Sequence, residues 1–255
     1  MIGDMSERSG YEPGVPCWVD TWQGDAGAAA GFYTQLFGWE AARGDDYSMF
    51  RLRGREVAGL GPRAIEPVAW TTYVQVDDAA AAAERVREAG GSVLREPFDS
   101  LEGGRIAVAA DPGGAVLGLW QLGEHRGAEV VNEPGAWAMS LLHATDAERA
   151  AAFYAAVFGW ETEPFGPATL FRLPGFVGGE PQQPVARDVV AAMAPAGGGP
   201  ARWTPDFWVD DAEAAAADAQ RLGGAVLAPP TDTGTGRTAV LADPAGAVFS
   251  VSKVV

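Results

Sequence analysis

The chain has 255 residues, 47% hydrophobic and 20% charged, a globular composition long enough for two units of about 120–130 residues with a core each. Its formal net charge of −16, with 18 basic against 34 acidic side chains, repels phosphate backbones and anionic headgroups, so neither nucleic acid nor a membrane is an expected partner. The single cysteine, Cys17, excludes an intrachain disulfide and a multi-cysteine metal site, and reads as core filler. The first ten residues, MIGDMSERSG, lack the basic start and apolar stretch of a secretion signal, and no run of about 18 apolar residues follows, so the expected location is cytoplasmic.

Past a tail at residues 1–12, EPG (Glu12–Gly14) runs into a strand-like segment and then a helix that ends on FYTQLFGWE (Phe32–Glu40). Asp25 is placed to accept the free amide hydrogens of that helix's first turn. Phe32/Leu36 and Tyr33/Phe37 sit four apart, so adjacent rows of rings and aliphatic groups form one face that packs on a sheet. Short strands follow, including VAGLGP (Val57–Pro62). Then WTTYVQVDDAAAAAERVREAGG (Trp70–Gly91) reads as strand, Asp77 as helix cap, helix, and Gly90 as a left-handed stop. In GRIAVAADPGGAV (Gly104–Val116) a hairpin strand ends on the turn DPGG, Pro fixing its second position.

After a linker at 123–135, where His125 is expected to face solvent, the same order returns. EPG reappears at Glu133–Gly135 and FYAAVFGWE at Phe153–Glu161, a shift of 121. Thr145 and Glu148 have the spacing of a capping box. WTPDFWVDDAEAAAADAQRLGG (Trp203–Gly224), with Asp210 as the expected cap and Gly223 as the stop, repeats the later helix at a shift of 133, and GRTAVLADPAGAV (Gly236–Val248) the hairpin at 132. The jump from 121 to 133 places about a dozen extra residues in PGFVGGEPQQPVARD (Pro174–Asp188), a candidate lid.

Two copies of strand, helix, three strands per half, with FY…FGW on the first helix and DP-x-G before the last strand, resemble the vicinal oxygen chelate superfamily of glyoxalase I, extradiol dioxygenases and fosfomycin and bleomycin resistance proteins. The resemblance runs from about Pro13 to Ser252. It implies an α+β fold: two tandem glyoxalase-like domains, at 13–122 and 136–255, each of two βαβββ modules with curved mixed sheets around a cleft. Modules pair either within a half or by exchange between halves. The family's metal ligands are a His or Gln early in a module's first strand and a Glu in its last. Carried over, these positions fall on Trp18, Thr71 and Gly118 in the first half and on Met139, Thr204 and Ser250 in the second. The remaining ones lie in VAGLGP and in VAAMAP (Val190–Pro195), which offer no carboxylate. With two histidines in the chain, His125 and His143, no metal site and no cofactor are expected. Lewis-acid chemistry of the glyoxalase I or dioxygenase kind is therefore not expected either.

Strand residues alternate faces, so positions sharing parity with the old ligand sites point into the cleft. In the first half these are Trp18, Asp20, Trp22, Tyr73, Gln75 and Trp120; in the second, Met139, His143, Asp206, Trp208 and Ser250. Trp39 and Trp160 read as core, and Trp70 and Trp203, of opposite parity, as lying under helices. Rings with few polar groups suit a flat hydrophobic or aromatic small molecule. Two functions follow: a metal-independent module that binds and sequesters such a molecule, as in resistance, or a metal-free tailoring enzyme that rearranges, cyclises or moves a proton on it. For the second, His143 and Asp206 are the candidate acid–base pair, with Asp20 as a further carboxylate. The expected oligomeric state is a monomer or a homodimer.

Overall fold

The segment PCWVDTW (Pro16–Trp22, β1) alternates face by face, and its side chains are buried on both sides up to a half-buried Trp22. It is followed in the computed structural model, which describes residues 6–42, 44, 46–63, 67–100, 103–178 and 185–254, by α1 (Ala26–Phe37), β2 (Glu40–Ala42), β3 (Ser48–Leu52) and β4 (Arg55–Gly61). The second module comprises β5 (Trp70–Gln75), α2 (Ala79–Glu88), β6 (Ser92–Ser100), β7 (Gly104–Ala110) and β8 (Val116–Leu122). The second half repeats both: β9 (Trp137–Ala144), α3 (Ala147–Phe158), β10 (Glu161–Phe165), β11 (Ala168–Arg172), β12 (Val189–Pro195), then β13 (Arg202–Trp208), α4 (Ala212–Arg221), β14 (Ala225–Thr233), β15 (Gly236–Ala242) and β16 (Val248–Val254).

Each helix begins on an aspartate. Asp25 Oδ1 accepts from the Ala28 amide at 2.9 Å, as expected. The other caps are Asp78, Asp146 and Asp211, one residue later than Asp77, Thr145 and Asp210. All three are still extended, with φ between −142° and −149°, so the strand-like backbone runs one residue further before the helix starts. With Asp146 as cap, Glu148 stands at the second helical position and the capping box does not form. Gly90 and Gly223 adopt φ of 82° and 90°, the left-handed stops the sequence called for.

The sheets are open and mixed, in the orders β2-β3-β4-β1-β5-β8-β7-β6 and β10-β11-β12-β9-β13-β16-β15-β14. Modules therefore pair within each half, through antiparallel β1/β5 and β9/β13. The helices do the opposite and bridge the halves. Phe32, Tyr33 and Phe37 of α1 share one core with Val19, Phe50 and Trp70 of their own sheet and with Phe207, Phe249 and Val251 of the other. Phe153, Tyr154 and Val157 of α3 mirror this, with Leu142 and Trp203 on one side and Val74, Leu117 and Leu119 of the first sheet on the other. Each such side chain contributes roughly 1.5–3 kcal/mol by leaving water. The expectations for Trp39, Trp160, Trp70 and Trp203 hold, all four being buried.

The tyrosines of the repeated motif tie the halves together with hydrogen bonds. Tyr33 OH donates to Asp243 Oδ2 at 2.8 Å and accepts from Trp70 Nε1, while Tyr154 OH donates to Asp111 Oδ2 at 3.1 Å and accepts from Trp203 Nε1. The two aspartates are the turn residues of DPGG and DPAG, whose Oδ1 atoms accept turn amides from Gly113 and Ala115, and from Ala245 and Ala247. Each half's helix thus closes on the other half's turn.

The loop at Pro174–Asp188 has a closed base, with Gly178 N donating to Arg187 O at 2.9 Å and an Arg172–Asp188 ion pair at 2.5 Å. Its middle, 179–184, lies outside the described residues. No helix among the described residues is long and apolar enough to cross a membrane.

Candidate functional site

The concave faces of the sheets, opposite the helices, carry the positions singled out by parity. In the first sheet the pairing runs Trp18↔Tyr73 and Asp20↔Thr71, then Tyr73↔Gly118 and Gln75↔Trp120, and Asp20↔Gly59 and Trp22↔Gly61, so all of these share one face. In the second it runs Met139↔Asp206, Leu141↔Thr204, Asp206↔Ser250 and Trp208↔Ser252.

The first concave face is packed shut among its described residues. Trp18, Asp20, Tyr73 and Trp120 are 2–6% exposed, and Gln75 is buried beside them. Asp20 is the hub: its Oδ2 accepts from Tyr47 OH at 2.9 Å, Tyr73 OH at 3.0 Å and Trp22 Nε1 at 3.1 Å. Its Oδ1 is buried with no hydrogen-bond partner. Burial, only partly offset by those donors, pushes the carboxyl up from 3.8 to about 7. Trp18 Nε1 donates to Tyr47 OH at 3.0 Å, extending the network by one ring.

Rings occupy the room where the family's ligands would stand. A Cβ at Gly118, the last-strand glutamate position, would lie 2.0 Å from Tyr73 Cδ1; one at Gly61 would lie 2.0 Å from the Trp22 indole, and one at Gly59 1.9 Å from Tyr47 OH. Trp18, Thr71, Gly118 and Gly59 supply no imidazole or carboxylate, and neither do Met139, Thr204, Ser250 and Ala192 in the second sheet. This donor set does not fit a divalent transition metal. Among the described residues no three His, Cys, Asp or Glu side chains come together.

His125 is not the exposed linker residue expected. Its side chain is 10% exposed and lies in the first cleft, stacked on Trp120 with centroids 5.0 Å apart at 14° and edge-on to Trp18 at 4.7 Å. The linker is held there by backbone bonds, Ala128 N to Cys17 O and Glu129 N to Glu56 O. Nδ1 accepts the Gly127 amide at 3.3 Å, so Nε2 carries the hydrogen and faces Glu56 Oε2 at 3.0 Å.

The second concave face is more open: Met139, Leu141, His143, Asp206, Trp208 and Ser252 are all half-buried. Asp206 Oδ1 accepts from Ser250 OH at 2.6 Å and Ser252 OH at 2.8 Å, whereas Oδ2 has no donor among the described residues. Burial, offset in part by the two serines, pushes this carboxyl up to about 6. The expected acid–base pair is not assembled. His143 stands opposite Arg202, four positions along β13 from Asp206 and roughly 13 Å away at strand rise. Burial and, second, the Arg202 charge lower its pKa to about 4, so the imidazole is neutral at physiological pH.

Sequence reasoning missed Tyr47, which lies in the loop before β3 where no periodicity marks a direction, and misplaced His125. It also missed the outer part of the first face, where Arg95 stacks 3.4 Å over the ring of Phe98.

Residues 18–119 match the Glyoxalase/Bleomycin resistance protein/Dioxygenase superfamily, and residues 138–252 match a Glyoxalase-like domain. The Mycobacterium tuberculosis protein CFP32, named as a glyoxylase, is 40% identical over 263 residues that cover 98% of each chain. The anthracycline biosynthesis protein DnrV of Streptomyces peucetius is 35% identical, covering 94% of each. Among solved structures, the Mn(II)-bound glyoxalase from Novosphingobium aromaticivorans superposes with a TM-score of 0.66 at 17% identity, covering 94% of this chain and 82% of that one. The 2,3-dioxygenase LapB from Pseudomonas sp. KL28 gives 0.63 at 17%, covering 98% and 93%. At such identity the structural likeness speaks for the fold alone.

Proposed function

The chain belongs to the glyoxalase/bleomycin resistance protein/dioxygenase (vicinal oxygen chelate) superfamily as a tandem two-domain member, and from that premise we propose that it binds a flat hydrophobic small molecule on the inner face of the second domain, without a metal ion. The observation that carries this reading is the asymmetry at Asp206. Two serines hold one carboxylate oxygen, and the other has no donor among the described residues, on a sheet face that Asp206 shares with the half-buried Met139, Leu141 and Trp208. A polycyclic aromatic ligand covers such a floor with its faces and meets Asp206 with one hydroxyl. Metal independence rests on the donor set at the family's ligand positions.

A second reading is favoured by the relatives named for anthracycline biosynthesis: the same face tailors a natural product of polyketide type. A carboxyl held near pH 6 is matched to taking a proton from an acidic C–H or O–H of such a molecule and returning it elsewhere. Ser250 and Ser252 would fix its orientation, and neutral His143 would serve as a hydrogen-bonding wall residue and not as its partner.

Asp206→Asn separates the two readings. With an anthracyclinone as probe, the tailoring reading expects affinity within about threefold of wild type and loss of product formation. The binding reading expects no turnover in either protein and a weaker complex in the variant. Product formation by Asp206→Asn at the wild-type rate would remove Asp206 from the chemistry.

A further inference from the structure

Carboxylates are in excess in this chain, 34 acidic against 18 basic side chains, and its arginines find them: Arg51, Arg87, Arg172 and Arg237 each reach an Asp or Glu oxygen. Arg202 is different. At the start of β13 it is half-buried, makes no side-chain hydrogen bond or ion pair among the described residues, and has its Nε buried without a partner. A cationic donor withdrawn from water and left unpaired costs stability and calls for a reason. The loop before it puts glycine, not a side chain, beside the guanidinium, since a Cβ at Gly199 would lie 3.5 Å from Nη1. Opposite it on β9, His143 brings no charge of its own at physiological pH. Four residues further along β13, on the same inner face, stands Asp206. One strand therefore presents an unpaired cation at one end of the face and a carboxylate at the other, roughly 13 Å apart at strand rise.

We infer that the ligand of the second face is an acid: a flat polycyclic molecule whose carboxylate is taken by Arg202, with the hydroxyl that meets Asp206 at its far end. This rests on the binding face proposed above and names the class of molecule that face takes. A guanidinium offers a carboxylate two parallel N–H donors, and such charge-assisted bonds are about twice as strong as neutral ones. The span between the two groups is one of several fused rings, not of a single ring. Asp206 repels the carboxylate that Arg202 attracts, so the molecule enters one way round, and that decides which of its edges meets Asp206. With a net charge of −16 the chain repels anions at long range, so the preference for an acid is local to Arg202.

The test titrates the full chain with anthraquinone-2-carboxylate and with its methyl ester, following tryptophan fluorescence. Wild type is expected to bind the carboxylate about tenfold more tightly than the ester. Arg202→Gln should remove that preference and leave the ester within about twofold of wild type; it takes a donor from no acceptor among the described residues, so the fold should survive it. Arg202→Lys, which keeps the charge and loses the fork, should retain part of the preference. Equal affinities of wild type for the two probes would overturn the inference, as would a preference that persists in Arg202→Gln or, should that variant not fold, one undiminished in Arg202→Lys. Trp208→Ala separates this inference from the reading beneath it. If it weakens both probes while Arg202 matters to neither, the binding face stands and the acid preference falls. If the preference depends on Arg202 while Trp208→Ala changes nothing, the anion site stands and the face does not, and absence of binding by either probe would overturn both.

Discussion

The two concave faces descend from one pattern and have been filled differently. In the first domain the central strand brings Trp18, Asp20 and Trp22; at the equivalent positions, 121 residues on, the second brings Met139, Leu141 and His143. The first set is knitted by phenol and indole donors into a buried network around one carboxylate. The second leaves a half-buried apolar floor around a carboxylate that moved to the neighbouring strand, Asp206 standing where Tyr73 stands in the first half. Duplication supplies two scaffolds, of which the first is packed shut and the second keeps half-buried inner positions. The convex faces differ less: each carries a tyrosine–aspartate exchange, with a Gln23 amide added only on Asp243.

That contrast breaks most readily at the tryptophans. Trp120→Ala is expected to destabilise the fold by roughly 3–5 kcal/mol, because the indole is buried between Tyr73, Trp18 and His125. Trp208→Ala, at a half-buried position, should cost no more than about 1 kcal/mol. Urea unfolding of both variants measures the difference, and equal losses would mean that the second face is as closed as the first.

The pH dependence of stability sharpens it next. Asp20 ionises near 3.8 when unfolded and near 7 when folded, so between those values the folded state holds the proton that the unfolded state has lost. Stability is therefore highest at low pH with respect to this group, falls as pH rises through the window, and the full cost is present above pH 7. Wild type should lose on the order of 2 kcal/mol more than Asp20→Asn between pH 4 and pH 8. The opposing contribution of His143, whose depressed pKa favours folding at higher pH, is common to both proteins and cancels. Parallel pH profiles would show that Asp20 is not desolvated.

The smallest expected effect is a difference between two matched tyrosines. Tyr33→Phe and Tyr154→Phe each remove one donor from a buried turn aspartate, at about 1–3 kcal/mol. Asp243 Oδ2 keeps the Gln23 amide at 2.6 Å, whereas Asp111 Oδ2 has no other side-chain donor among the described residues, so Tyr154→Phe should cost more. Equal losses, read from thermal melts, would show that the Gln23 bond does not compensate.

Much of this architecture was legible in the letters. The duplicated FYTQLFGWE gave a helix face because rings four apart can share only one side, and Gly90 and Gly223 marked helix ends because glycine, without a Cβ, takes the left-handed turn at no steric cost. Strand parity correctly grouped Trp18, Asp20, Trp22, Tyr73 and Trp120, since period two survives wherever no bulge intervenes. Parity is silent on position along a strand, so it placed His143 and Asp206 on one face and could not see the four-residue offset between them. What fills the first cleft was hidden for another reason. Tyr47 and His125 come from a loop and a linker, where no repeating pattern fixes a direction. The destination of the Tyr33 hydroxyl lies 210 residues away, in a turn that reads as complete without it.

The central claim is that the open face of the second domain holds a flat hydrophobic ligand without help from a metal. It is tested most directly by titrating an anthracyclinone into EDTA-dialysed protein and following tryptophan fluorescence, for wild type and Trp208→Ala in parallel. The account predicts saturable quenching of wild type that added Mn(II) or Fe(II) does not strengthen, and an affinity about tenfold weaker in the variant. Binding that appears only when the metal is restored, or that is indifferent to Trp208, would contradict it.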